Sequence, residues 1–254
     1  MKLTFLGTGT SQGVPVIACS CKVCMSKNKK DNRLRSSVMI SINEYNYVID
    51  SGPDFRQQML RKNVKDIRAL LFTHEHKDHV AGLDDIRAFN FKHHKDIDIF
   101  CHLNVQKALK REFPYIFSEF KYPGVPRINI HTIEKNKTFQ IEDNIFIPIE
   151  VMHYKMAVMA FRINGLTYIT DAKRISSKEV EKIKGTDVLI INALRMEEHI
   201  SHFNLKQALE FIDYIKPKRA YLTHISHYLG KHTQVSQKLP DNVYLAYDGL
   251  EILL

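Results

Sequence analysis

Residues 67–79 read Ile67-Arg68-Ala69-Leu70-Leu71-Phe72-Thr73-His74-Glu75-His76-Lys77-Asp78-His79. Ile67 to Thr73 form an apolar run of strand length, and the spacing from His79 to Phe91 predicts a helix. Three imidazoles and an aspartate therefore fall on the turn out of a strand, at its C-terminal end, where α/β sheets gather ligands. Imidazole suits zinc, iron or nickel, and a carboxylate admits manganese as well. A single open tetrahedral site would not draw four ligands from one turn. The segment points to a two-metal site completed from elsewhere in the chain, and so to metal-dependent hydrolysis.

Working outward, strands and helices alternate. Strands are expected at Lys2–Leu6, Ser37–Ile42, Tyr47–Ile49 and Ile97–Cys101, with helices at Phe55–Lys62 and from Val105 to Phe113. The loop Tyr122-Pro123-Gly124-Val125-Pro126 opens a second half. Its expected strands are Ile128–Ile133, Thr138–Ile141, Ile145–His153, Ala157–Ile163, Leu166–Thr170, Val188–Ala193 and Arg219–Thr223, with helices at Lys178–Lys184 and Leu205–Ile215. Val243–Tyr247 and Leu250–Leu254 close the chain as strands or a hairpin around Asp248-Gly249. Two strand-rich halves with helices predict an α/β fold. It is an αββα sandwich of two mixed β-sheets with helices on both outer faces, in a single domain over residues 1–254.

The 254 residues suffice for a substantial core, and 44% hydrophobic with 26% charged residues is ordinary globular composition. The N-terminus lacks an apolar leader and no run approaches a membrane span, so a cytoplasmic protein with no membrane partner is expected. A net charge of +9 suits an anionic substrate, such as a phosphate ester or RNA. Three of the four cysteines fall in Cys19-Ser20-Cys21-Lys22-Val23-Cys24, inside the long irregular stretch Thr8–Arg35. In a cytosolic chain such spacing reads as a metal site rather than a disulfide framework.

Further ligand candidates end strands: His153 after IFIPIEVM, Asp171 after LTYIT and His224 after AYLT. His74, His76 and His153 are expected to hold one ion, and Asp78, His79 and His224 the other, with Asp171 bridging. This order, HxHxDH … H … D … H, resembles the metallo-β-lactamase superfamily over essentially the whole chain. Gly7-Thr8-Gly9-Thr10 and Asp50-Ser51-Gly52 match its landmarks too. The resemblance implies the same layered sandwich, and implies that Asp50 hydrogen-bonds near a ligand histidine, as metal-bound imidazoles require. Two ions about 3.5–4 Å apart would acidify a shared water for attack on phosphorus or a carbonyl, with Asp78 orienting it. His93, His94, His102, His131, His199 and His232 fall outside the pattern and read as surface or structural.

Phosphodiesterases of that superfamily place a general-acid histidine in a loop before a helix, and Ser201-His202-Phe203-Asn204-Leu205 is similar to it, which assigns the role to His202. The string from Gly7 to Pro15, with Cys19, Cys21 and Cys24, resembles the PhnP branch, which includes a phosphoribosyl 1,2-cyclic phosphodiesterase. That resemblance implies a structural zinc on Cys19, Cys21, Cys24 and His227, the last from Leu222-Thr223-His224-Ile225-Ser226-His227. The segment Gly82-Leu83-Asp84-Asp85-Ile86-Arg87 is more charged than in that enzyme, which leaves the ribosyl substrate open. Arg33, Arg35 and Arg87 read as exposed or salt-bridged.

The expected cofactors are two divalent ions (zinc, manganese, nickel or iron) and one structural zinc, acting on a small anionic phosphodiester. Two alternatives stand beside this. One is a ribonuclease Z-like tRNA 3′-processing nuclease, favoured by charge but lacking an inserted Gly/Pro-rich arm. The other is a non-catalytic metal-binding accessory protein. A homodimer is left open.

Overall fold

A computed structural model describes residues 1–120 and 122–254. The first sheet contains β1 (Lys2–Gly7), β2 (Ser37–Ile42), β3 (Tyr45–Ile49), β4 (Ala69–Leu71), β5 (Ile97–Cys101) and β6 (Ile128–Thr132). The second contains β7 (Phe139–Ile141), β8 (Asn144–His153), β9 (Met156–Ile163), β10 (Leu166–Tyr168), β11 (Arg174–Ile175), β12 (Val188–Asn192), β13 (Arg219–Thr223) and β14 (Val243–Leu245). A last strand, β15 (Glu251–Leu253), returns to the first sheet beside β1. The orders are β15-β1-β2-β3-β4-β5-β6 and β11-β8-β9-β10-β12-β13-β14, with β7 on β8. Each sheet is antiparallel on one side and parallel on the other, the parallel parts being β3-β4-β5-β6 and β10-β12-β13-β14.

Strand periodicity sorts the apolar residues into three layers. Leu3, Phe5, Val38, Ile40, Tyr47, Ile49 and Leu71 face Phe146, Met159, Phe161, Tyr168 and Ile190 between the sheets. The alternate residues Leu6, Met39, Val48 and Leu70 pack outward. There they meet α1 (Phe55–Arg61), α3 (Arg87–His93) and α4 (Leu103–Glu112). On the opposite face Val151, Val158, Leu189, Ile191 and Leu222 meet α6 (Ser177–Ile183), α7 (Leu205–Ile215) and α8 (His232–Ser236). Both faces of each sheet are thus covered, which is why these strands read as near-continuous apolar runs. The αββα sandwich of two mixed sheets is as expected.

Two local expectations fail. The single helix over His79–Phe91 is instead α2 (Lys77–Val80), a 3₁₀ turn at Leu83–Ile86, and then α3. The break follows from Gly82, whose amide donates to Ser51 O and whose missing Cβ leaves room for the Gly52 carbonyl. The two closing strands form, but not as a hairpin. β14 pairs in parallel with β13 in the second sheet, whereas β15 pairs antiparallel with β1 in the first. Asp248 makes that crossing by accepting from Thr8 Oγ1 at 2.7 Å and Leu34 N at 2.8 Å.

Candidate active site

The C-terminal ends of β3 and β4 in one sheet and of β8, β10 and β13 in the other meet at one edge of the sandwich. Asp50 follows β3, His74 to His79 follow β4, His153 ends β8, Asp171 follows β10 and His224 follows β13. Asp50, Asp171 and His224 adopt left-handed backbone angles, with φ of 65°, 57° and 54°. Non-glycine residues seldom do so, and such strain concentrates at functional sites.

Four imidazoles are held in a common way. His79 Nδ1–H donates to Asp50 Oδ2 at 2.7 Å, and Asp50 is itself fixed by Thr73 N–H and Oγ1–H, each at 2.8 Å. Because that Thr73 hydroxyl donates to Asp50, it accepts from His74 Nδ1–H at 2.9 Å. His153 Nδ1–H donates to Ser201 O at 3.0 Å. Ser36 Oγ donates to Gly9 O and so accepts from His224 Nδ1–H at 3.2 Å. In every case Nδ1 carries a proton held by its acceptor, which leaves Nε2 as the nitrogen turned to the cluster. Those Nε2 atoms face the cluster. His79 Nε2 lies 3.2 Å from Asp78 Oδ2 and 3.3 Å from Asp171 Oδ2 without a hydrogen bond. His224 Nε2 lies 3.2 Å from Asp171 Oδ1, and His74 Nε2 lies 3.1 Å from His76 Nδ1.

Charge favours a cation here. Burial pushes His74 well below the ordinary imidazole value, and it pushes His76 and His224 down as well. Burial opposes ionisation of Asp171 and Asp78, but His224 and His79 outweigh it for the first and His79 for the second, holding both carboxyls low. Only His79 goes up, because Asp78, Asp50 and Asp171 together overcome its burial. Neutral His74, His76 and His224 beside ionised carboxylates are the kind of donor set that suits a divalent first-row ion.

Three groups of donors lie within 4.8 Å of one another: Asp78, His79 and His224; His74, His79 and Asp171; His153, Asp171 and His202. The first is the trio expected for one ion. The other expected trio is looser, with ring centroids 4.7 Å apart for His74–His76, 5.2 Å for His76–His153 and 6.0 Å for His74–His153. Asp171 is the hub, since its two oxygens face His79 on one side and His224 on the other.

His202 lies within the cluster. It is buried, its ring stacks on His224 with centroids 5.0 Å apart, and its Nδ1 lacks a hydrogen bond 3.7 Å from Asp171 Oδ1. Burial, then His224 and His153, pushes its pKa down to about 3 against the pull of Asp171. The loop carrying it is anchored by Phe203 N to Ala172 O at 2.7 Å and by the Asn204–Gln207 capping box that opens α7. His199, read as surface or structural, in fact packs 5.1 Å from the His202 ring, with Nδ1 accepting from Ser201 N and Oγ. Sequence reasoning also missed Ser36, Thr73 and Ser201, whose tethering of imidazoles has no sequence signature.

The cysteines form a second centre. Cys19, Cys21 and Cys24 Sγ lie 3.3, 3.4 and 3.3 Å from His227 Nδ1. The Cys24 and Val16 amides donate to Cys21 Sγ and Cys24 Sγ, each at 3.4 Å. The Cys24 amide in particular draws the Cys21 thiol down to about 6. These four donors suit a closed tetrahedral site. Of the arginines, Arg35 pairs with Asp54 and Arg87 with Asp84, while Arg33 is buried.

Comparison with known proteins agrees with this geometry. A β-lactamase superfamily domain matches residues 45–225, and the chain belongs to that superfamily. Its fold is that of the metallo-β-lactamase type. A crystal structure described as a new diphosphatase from the PhnP family superposes with a TM-score of 0.93 at 34% identity, over 100% of this chain and 97% of that one. Within the superfamily the chain is therefore PhnP-like. An octanoyltransferase of Porphyromonas gingivalis is 35% identical over 100% of this chain and 52% of its own length. A ribonuclease Z of Acaryochloris marina is 28% identical over 64% of this chain and 47% of its own length. The chain spans about half the length of these curated relatives. No helix among the described residues is long and apolar enough to cross a membrane.

Proposed function

We propose that the chain is a metal-dependent phosphodiesterase acting on small cyclic phosphates, such as phosphoribosyl 1,2-cyclic phosphate, at the cluster around Asp171. The observation that carries this reading is the common tether of His74, His79, His153 and His224, each held through Nδ1 with Nε2 turned toward the cluster. His74, His76 and His153 would hold one divalent ion and Asp78, His79 and His224 the other, with Asp171 shared. Such ions supply the Lewis acidity that acidifies water and polarises a phosphoryl oxygen at neutral pH.

The remaining work falls to the chain. Asp50 holds the His79 ring through Nδ1 and so fixes the direction in which Nε2 points. Asp78, at the opening of α2, offers a carboxylate that accepts a hydrogen bond from the attacking water. His202 would give a proton to the departing alkoxide, which requires the anionic phosphate beside it to raise its pKa from about 3 toward neutrality. Cys19, Cys21, Cys24 and His227 would hold a structural zinc that ties the Thr8–Arg35 loop to the C-terminal half. The relative described as a diphosphatase supports cleavage at phosphorus.

The test is metal analysis of the purified protein followed by a panel of cyclic phosphates, linear diesters and precursor tRNA. Turnover of cyclic phosphates above the rest is expected. Efficient tRNA 3′ trimming would move the assignment to the ribonuclease reading. An inert panel with zinc, manganese, nickel and iron would favour a non-catalytic accessory protein. His202→Ala is expected to lower kcat by about 10²–10⁴, the ordinary worth of a general acid, while both active-site ions stay bound. A wild-type rate would remove the acid role. Loss of an ion would make His202 a ligand, as its closeness to Asp171 and His153 allows.

A further inference from the structure

A groove of about 550 Å³ opens directly from the cluster, with His76 and His153 at its inner end. One wall is the turn Tyr154-Lys155 between β8 and β9, continued by Met156, and the other is Ile200-Ser201. Both walls are fixed. Ser201 O holds His153, and Arg174 Nη2 donates to Tyr154 O at 3.2 Å. Tyr154 is 45% exposed and Ile200 67% exposed, so two large apolar side chains face the opening rather than the core. Lys155 lies beside them with its ammonium 5.4 Å from the Tyr154 ring centroid. It forms no ion pair with a described residue.

Largely apolar walls with few polar groups, lining an open groove whose volume lies between about 300 and 1,000 Å³, suit a small organic ligand. Lys155 at the rim, unpaired among the described residues, adds a requirement for negative charge. We propose that this groove is the subsite for the organic side of the substrate. It accepts an aromatic ring against Tyr154 and Ile200 and a second anionic group on Lys155, on the scale of a mononucleotide. The inference rests on the phosphodiesterase reading only for where the scissile phosphate sits.

Isothermal titration of the metal-loaded protein with ribose 5-phosphate, adenosine 5′-monophosphate and adenosine 3′,5′-bisphosphate tests it. The ring is expected to tighten binding about tenfold over ribose 5-phosphate, the usual worth of one base stacked on an aromatic side chain. The second phosphate is expected to tighten it several-fold more. Tyr154 has φ of 55°, so Tyr154→Asn, which tolerates that backbone, is the variant to use. Tyr154→Asn, and independently Ile200→Ser on the opposite wall, should erase the ring's gain. Lys155→Gln should erase only the gain from the second phosphate. Monophosphate binding no tighter than ribose 5-phosphate, or gains that survive the substitutions, would overturn the proposal. Assay of the same preparations with bis-p-nitrophenyl phosphate separates the two readings. Ring preference without turnover counts against the diesterase alone, and turnover without ring preference counts against the groove alone.

Discussion

A Cβ on Gly52 would lie 2.0 Å from the carbonyl oxygen of Asp78, far inside van der Waals contact. The Asp50-Ser51-Gly52 turn is therefore pressed against the backbone of α2, and Ser51 N donates to His79 O at 2.8 Å. This contact sets the distance at which the Asp50 carboxylate reaches His79 Nδ1. Gly52→Ala must push α2 away, and a shift of about 1 Å at a catalytic group costs on the order of 10² in rate. The expected result is a fall of that order in diesterase kcat with a lowered Tm, read by steady-state kinetics and thermal melting. His232 offers a residue whose effect should appear in stability alone. Arg33 Nη2 donates to its Nδ1 at 3.3 Å, so the native imidazole is neutral. Burial, then Arg33 and Lys30, depresses it to about 4 against the pull of Asp31. Its folded value lies below the unfolded value of about 6.5. The unfolded chain therefore binds the proton first, and stability falls as pH drops from about 6.5 to about 4, by about 3 kcal/mol in total. Denaturant melts of wild type and His232→Gln across that window should differ in slope, and parallel curves would refute the assignment.

At the scale of elements, the Thr8–Arg35 segment is long for a loop with little regular structure, and it stays ordered by being tied at several points. Gly9 bridges both Arg35 and Ile225, Val14 bridges Arg33, and the cysteines reach His227. The buried Arg33 guanidinium joins Thr8 Oγ1 at 2.8 Å to Ala246 O at 2.6 Å. If a zinc ion occupies the cysteine centre, Cys21→Ser removes one of four ligands and should release that ion and lower Tm. The zinc or manganese content of the Asp171 cluster should be unchanged, since no cysteine lies among its donors. Elemental analysis alongside melting separates the two centres, and loss of all metal would show that they are coupled. The loop of residues 195–204 is tied in a comparable way. Asn192 clamps the Ala172 backbone through both ends of its amide, and Ala172 O accepts from Phe203 N. His202 is thereby positioned from the second sheet, independently of His79 on α2.

For the whole molecule, the last strand matters out of proportion to its length. β15 leaves the second sheet and closes the edge of β1, with Leu3 opposite Ile252, and the Ile252 side chain enters the layer between the sheets. Ile252→Ala should cost about 2–4 kcal/mol, as buried aliphatic truncations do. Urea unfolding would report it, and a loss below about 1 kcal/mol would mean that the strand is peripheral. That closure was not legible in the sequence, because a strand's apolar pattern says which face is buried but not which neighbour it pairs with. The layered fold was legible: two apolar faces per sheet and helices of matching period leave few ways to arrange two strand-rich halves. The HxHxDH segment was legible for a related reason, since contiguous residues on a strand-to-helix turn must stay together wherever the chain goes. His153, Asp171 and His224 could be named from their positions at strand ends, yet their convergence on one point depends on the parallel halves of both sheets meeting at one edge. Asp171 as hub, His199 beside His202 and the tethers Thr73, Ser36 and Ser201 were decided by tertiary structure alone. Hydrogen bonds between residues far apart in sequence follow from how strands lie side by side, and that geometry is not written in any one stretch of the chain.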